Sequence, residues 1–315
     1  MTNSSEISIC IPAYKNVGFL ERLLHSISIQ SFADYEVVIT DDSPDDSVKK
    51  FIQDYTFPKP IRYIKNAFSL GTPENWNEAI RNAKGKWIKL MHNDDWFAHK
   101  DALKYFYDAT LKHSQCSFFF SAFQNINYET GDKEVVKCNL FDRFILWLSP
   151  LHLFRKVYVG NPSCTLIRRD AGLFYDIRFK YVVDFEYYIR CIKKLNRYQY
   201  IDEVLLNIGF HKEQVTKYTF LVPSVQIPEN LILLDKLGHN ILRNLLVYDY
   251  YWRMVRNLKI RNPTEIKTYY DKDLNRVIKR MINFQSKVPV QVLQIGLFSK
   301  SFMLLNYVFS LMKTH

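Results

Sequence analysis

The decapeptide WIKLMHNDDW at residues 87–96 runs from an apolar stretch of strand character into Asn93, Asp94 and Asp95. A hard divalent cation prefers oxygen ligands, and a loop at a strand end can aim carboxylates into a crevice without burying them among apolar groups. A plainer use for the same pair is to cap the helix expected after residue 100. Two other strand ends carry special or polar residues. Pro12, Ala13 and Tyr14 follow the run at 7–11, and Asp41, Asp42 and Ser43 follow the run at 35–40. Ligands of open α/β sheets bind at the carboxyl ends of the strands, so these three segments are expected along one edge. Coincidence explains one such loop better than three.

The elements that must position them are legible in the hydrophobic pattern. Residues 7–11, 35–40 and 61–64, and the run that opens at Trp87 and stops at Asn93, read as short apolar strands. Between them, Leu20, Leu23, Leu24 and Ile27, then Val48, Phe51, Ile52 and Tyr55, then Trp76, Ala79, Ile80 and Ala83 recur at helical spacing. Strands alternating with helices at this pace predict a parallel sheet covered on both faces. Further on, 103–111 reads as a helix, 117–123 and 164–167 as strands, and 141–154 as a nearly all-apolar segment broken at Pro150. An acidic helix start at Asp184 and Glu186, a short strand near 204–208 and a polar segment at 211–217 follow. Beyond Pro223 the pattern is helical, clearest at 231–237 and 241–256.

With 315 residues, 48% of them hydrophobic, the chain can bury a substantial core. Cys10, Cys116, Cys138, Cys164 and Cys191 are widely spaced, which matches neither a disulfide framework nor a zinc signature and fits a reducing compartment. The N-terminus lacks a basic segment followed by a long apolar core, so a cytoplasmic chain is expected. The net charge of +11 is unevenly placed: from residue 221 onward Lys and Arg outnumber Asp and Glu by 14 to 6. No nucleic-acid-binding signature accompanies that excess, so nucleic acid is not an expected partner. Neither G-x-G-x-x-G after the first strand nor G-x-x-x-x-G-K-[ST] is present, which speaks against a dinucleotide fold and a P-loop.

The segments ISICIPAYKN, SISIQSFADYEVVITDDSPDDS and NWNEAIRNAKGKWIKLMHNDDW, in this order and spacing, resemble the family 2 glycosyltransferases. The likeness is strong over about the first 100 residues and looser to about residue 215, and it includes the later VVDFEYYIR. It implies a GT-A fold, a Rossmann-like, mostly parallel sheet with flanking helices, over residues 1–220, followed by a basic, mainly helical region at 221–315. It implies an inverting, metal-dependent transfer of sugar from a nucleotide-sugar donor, UDP- or dTDP-linked, to a glycan or lipid-linked glycan in cell-surface polysaccharide synthesis. Mn2+ or Mg2+ would be bound by Asp95, with Asp94 second. Asp42 would accept a hydrogen bond from a nucleobase imide and Tyr14 would stack on the base. Pro12, Ala13, Asp41 and Asn77 would shape the same site, and His211 would reach the diphosphate. Asp184 would act as general base, with Glu186 orienting the acceptor. His92 replaces an acid common in the family and Trp76 an arginine. These departures leave open a catalytically impaired nucleotide- or glycan-binding module; a nucleotidyltransferase is the other alternative.

Residues 288–312 contain one charge, Lys300, flanked by Lys287 and Lys313. A central lysine, with Gln291, Gln294 and Asn306, makes a membrane span costly. The expectation is a helix lying in the interface of an anionic membrane, as a peripheral contact on its inner face, or packed on the domain.

Overall fold

The structure, a computed structural model, describes residues 5–211 and 218–312. The chain divides into two compact units. The first comprises Met1–Phe144, Tyr158–Phe179 and Glu186–Gln214; the second comprises Ile145–Val157, Lys180–Phe185 and Val215–His315. The chain thus passes between units several times, where a single boundary at residue 220 was expected.

The first unit is built on one nine-stranded sheet among the described residues. Strands β1 (Ile7–Ala13), β2 (Tyr35–Asp41), β3 (Ile61–Lys65) and β4 (Trp87–Leu90) pair in parallel in the order β3-β2-β1-β4. β1 is buried at all seven positions, as a central strand covered on both faces must be. Helices α1 (Val17–Ser28), α2 (Ser47–Asp54) and α3 (Glu74–Arg81) connect these strands. Beyond β4 the sheet becomes mixed. It continues through β8 (Thr165–Arg168), β6 (Phe118–Asn127), β9 (Gln199–Phe210) and the two-residue β5 (Trp96–Phe97), with β7 (Lys133–Val136) paired to β6. β8 runs antiparallel to both its neighbours, whereas β6 and β9 are parallel. The expectation of a mostly parallel sheet holds. The short β5 and β7 were not legible, because their pairing partners are distant in sequence.

One face of the sheet carries a continuous core from Ile9, Leu23 and Ile39 to Phe106, Phe119 and Leu206. Helix α4 (Ala102–Lys112) covers part of it with Leu103 and Phe106. Asp94 and Asp95 do not cap α4: β5 intervenes and Asp101 stands at its N-cap.

The apolar stretch at 141–154 forms α5 (Leu140–Leu148) and then a 3-10 turn beginning at Pro150, which lacks the N–H an α-helix interior needs. Helix α6 (Val183–Leu195) carries Asp184 and Glu186 near its start. The second unit contains α7 (Pro223–Leu237), α8 (Leu245–Asn257), α9 (Pro263–Ile266), α10 (Arg276–Gln285), α11 (Val290–Gln294) and α12 (Gly296–Met312). Residues 288–312 therefore form two helices interrupted at Ile295, whose backbone is extended. Among the described residues, no helix is long and apolar enough to cross a membrane.

Candidate active site

The parallel register aligns Ala13 with Asp41, so the carboxyl ends of β1 and β2 lie side by side. Asp42 N–H donates to the Ala13 carbonyl at 3.0 Å. The buried Asn75 fastens the same corner by donating to the carbonyls of Ala13 and Thr40. Asp41 is wholly buried and accepts from Ser43 N–H, the Tyr63 hydroxyl and Lys65 Nζ, so its charge stiffens the turn.

Asp42 organises the loop that follows β3. Its Oδ1 accepts from Asn66 Nδ2 and Leu70 N–H, and its Oδ2 from Ser69 Oγ and Gly71 N–H. Burial pushes this carboxyl upward, but the four donors outweigh burial and hold it below the usual range. Gly71, at φ 71°, supplies the left-handed backbone. The expected imide acceptor is thus a carboxylate whose oxygens each already take two hydrogen bonds. Tyr14, half exposed beside this corner, keeps an open ring with Lys15 Nζ 5.2 Å from its centroid.

The second cluster lies past the end of β4. Met91 N–H still bonds to the Cys10 carbonyl, and the chain then turns through residues 92–95. Asp95 is buried: its Oδ2 accepts from Ser163 Oγ at 2.6 Å and Asn161 Nδ2 at 2.7 Å, and its Oδ1 from Gly209 N–H at 3.2 Å. Burial and the neighbouring Asp94 charge nevertheless push the Asp95 carboxyl well above the ordinary range. Asp94 is more open, and its Oδ2 lies 3.0 Å from His211 Nε2. Burial opposes its ionisation, but His211 and His92 prevail and hold this carboxyl below the usual range. The pair is therefore asymmetric. Asp95 is clamped by the protein, whereas Asp94 offers the more accessible oxygen.

His92 completes the group. Its ring packs on Trp76, centroids 4.6 Å apart, and its Nε2 is buried without a hydrogen-bond partner among the described residues. Burial keeps its pKa below the ordinary value, so the imidazole is neutral and able to ligate. One ligand atom each from His92, Asp94 and Asp95 lies within 4.8 Å of the others. Two adjacent carboxylates and an orphaned neutral imidazole suit a divalent cation of the Mn2+ or Mg2+ kind.

Several supports were missed by sequence reading. Tyr128 donates to the Asp94 carbonyl at 2.9 Å, stacks on Phe19 and Trp96, and receives a hydrogen bond from Arg22. A Cβ on Gly209 would lie 2.6 Å from the Asp94 carbonyl oxygen, so only glycine lets β9 approach this loop. Lys89, wholly buried on β4, donates to the Ser163 carbonyl. No local signal marks these residues, because each hydrogen bond they make to the site spans at least 34 positions of sequence.

The remaining expected residues have these surroundings. The Asn77 amide bonds to Glu74 and to both backbone groups of Tyr175, which uses it to hold that loop. Glu186 is buried in a two-point ion pair with Arg190. Asp184 belongs to the second unit; its Oδ1 is buried without a hydrogen-bond partner among the described residues, and burial pushes its carboxyl up to about 7. Of the polar segment 211–217, only His211 lies within the described residues.

A glycosyl transferase family 2 model matches residues 8–172. An uncharacterized glycosyltransferase of Haemophilus influenzae is 30% identical over 91 residues, 29% of this chain and 30% of the relative, so the match spans under a third of that protein. The UDP-Glc:alpha-D-GlcNAc-diphosphoundecaprenol beta-1,3-glucosyltransferase WfgD of Escherichia coli is 22% identical over 187 residues, 58% of this chain and 67% of WfgD. Among solved structures, residues 1–349 of S. aureus TarS in complex with UDP-GlcNAc superpose with a TM-score of 0.58 at 14% identity, over 88% of this chain and 87% of that one. That likeness identifies the GT-A fold. With more than half of its length matched by the family model, and with paired carboxylates at the carboxyl edge of a GT-A sheet, the chain belongs to glycosyl transferase family 2.

Proposed function

We propose that this chain is an inverting, metal-dependent glycosyltransferase, moving a sugar from a UDP- or dTDP-linked donor to a glycan or lipid-linked glycan during cell-surface polysaccharide synthesis. The observation that carries this reading is the pairing of the Asp42-organised loop with the His92, Asp94 and Asp95 group at the strand ends of one sheet. WfgD, whose name gives a diphosphoundecaprenol-linked acceptor, supports a lipid-linked substrate. Such an acceptor implies peripheral contact with the inner face of an anionic membrane.

In this reading Asp94, Asp95 and His92 would hold Mn2+ or Mg2+, Asp94 offering the accessible oxygen, and the bound cation would supply Lewis acidity toward the leaving diphosphate. Asp42 acts through the loop it holds, Tyr14 offers its open face to the nucleobase, and Pro12, Ala13 and Asp41 shape the backbone beside it. His211 keeps Asp94 ionised and stands ready to contact phosphate. Asp184 takes the acceptor hydroxyl proton as that oxygen attacks the anomeric carbon opposite the diphosphate; the C–O bond to the diphosphate breaks and configuration inverts. A carboxyl poised near neutrality suits that task. Glu186 and Asn77 support the site by holding Arg190 and the Tyr175 loop.

The test is to screen the purified protein against nucleotide sugars with Mn2+ or Mg2+, with and without a membrane glycolipid extract. Transfer should depend on the cation and fall to background in Asp94→Ala and Asp184→Asn. Wild-type rates in either variant overturn the assignment, and binding without transfer identifies a nucleotide-binding module instead.

A further inference from the structure

Helix α12 faces the wrong way for a helix bordering water. Its buried positions are Ser299, Met303, Asn306 and Ser310. Ser299 Oγ accepts from Trp252 Nε1 at 3.1 Å and from Arg256 Nη1 at 3.0 Å, and Asn306 Oδ1 accepts from the Tyr248 hydroxyl at 2.6 Å. Apart from Lys300 and Ser301, the outward residues are apolar: Leu297 is 75% exposed, Leu304 46%, Leu305 49%, Val308 50% and Met312 59%. An amphipathic helix on a water-facing surface turns its apolar stripe inward and its polar face outward. Here hydrogen bonds anchor the helix, leaving the apolar stripe outside.

The surroundings of that stripe are basic. Residues 274–312 contain five Lys and Arg and no Asp or Glu. Lys300 is exposed on α12 itself. Arg280 on α10 donates to the Phe309 carbonyl, and exposed Arg243 accepts the Tyr307 hydroxyl on its backbone oxygen. Apolar side chains with Lys300 and Arg280 on the same helix or against it complement an anionic lipid surface, with acyl chains for the stripe and headgroups for the cations. Among the described residues no helix is long and apolar enough to cross a bilayer, and a helix seated by one apolar face lies in the plane of the interface.

We propose that the outward face of α12 is the membrane-docking surface of this protein, seated at the headgroup and acyl boundary of an anionic bilayer. It rests on the lipid-linked acceptor only for its purpose, and the surface is tested separately. The full chain should sediment with phosphatidylcholine vesicles containing phosphatidylglycerol, and about tenfold more weakly with phosphatidylcholine alone. The double variant Leu305→Glu, Val308→Glu should lose about tenfold in binding to the anionic vesicles while keeping its circular dichroism and its transfer to a water-soluble acceptor. Should that variant misfold, Leu305→Trp gives a second reading. Extra emission beyond wild type should be quenched by brominated phosphatidylglycerol, and absence of quenching overturns the proposal. It is also overturned if the wild type stays in the supernatant, if the double variant binds like wild type, or if light scattering shows a dimer that the double variant disrupts without any vesicle binding. Failure to bind vesicles with transfer intact removes this surface and leaves the reaction; vesicle binding without transfer does the converse.

Discussion

Ser163 Oγ donates to Asp95 Oδ2 at 2.6 Å while accepting the amide N–H of His92 at 2.9 Å. One hydroxyl thus fixes the spacing of two members of the candidate metal group from a loop about 70 positions away. Lys89, beneath it, holds the carbonyl of the same serine.

Ser163→Ala should therefore weaken metal binding without emptying the group of ligands. Loss of an outer partner of a ligating carboxylate typically costs roughly tenfold to a hundredfold in affinity. Calorimetric titration with Mn2+ reads this directly, and an unchanged affinity would show that Ser163 does not orient Asp95.

Asp184 predicts a pH profile. With its carboxyl at about 7, the ionised base accumulates as pH rises, so kcat/KM should climb through that value and Asp184→Asn should abolish the rise. Stability has the opposite sign. Between the ordinary carboxylate range and about 7 the folded state binds the proton that the unfolded state has released, so stability falls as pH rises through that window. Asp184→Asn should remove this slope, and thermal melts across the window check it; a retained slope assigns it to another group.

Asp42→Ala should loosen the loop at 66–71. Four donors lose their acceptor, at a cost on the order of 1–3 kcal/mol given that the loop remains partly open to water. Because this carboxyl sits below the usual range, its contribution is present above that range and is lost as pH falls through the folded value. Chemical denaturation of wild type and variant at neutral and acid pH should show a difference that shrinks with acid. A constant difference would point to packing.

Lys89 is expensive to bury. Burial lowers its ammonium to about 7, partly offset by Cys164 and Asp95. Between about 7 and the ordinary lysine value near 10.4 the unfolded chain holds a proton that the folded chain lacks, so stability rises with pH across that window. Lys89→Met should gain on the order of 1 kcal/mol at neutral pH, with the advantage narrowing toward pH about 10. Lower stability of the variant at neutral pH would show that the bond to Ser163 outweighs desolvation.

Much of the site was legible because its carboxylates lie at strand ends, where local sequence announces them. The run IKLMHNDD shows a buried strand stopping on acids, and VVITDDS shows the same, so the parallel edge that brings Asp41, Asp42, Asp94 and Asp95 together follows from the strand–helix alternation. The sequence by itself thus determined the fold class, the family resemblance and the carboxylates that matter. Tertiary structure decided which carboxylate is clamped and which is open. Asp95 was the expected metal ligand, yet Ser163, Asn161 and Gly209 close over it and leave Asp94 the accessible neighbour. It likewise decided that α12 buries its polar side, since helical periodicity defines a stripe without saying which side the rest of the chain will cover. Both outcomes have one physical reason. Hydrogen-bond partners and covering surfaces come from segments distant along the chain, and local propensity carries no information about them.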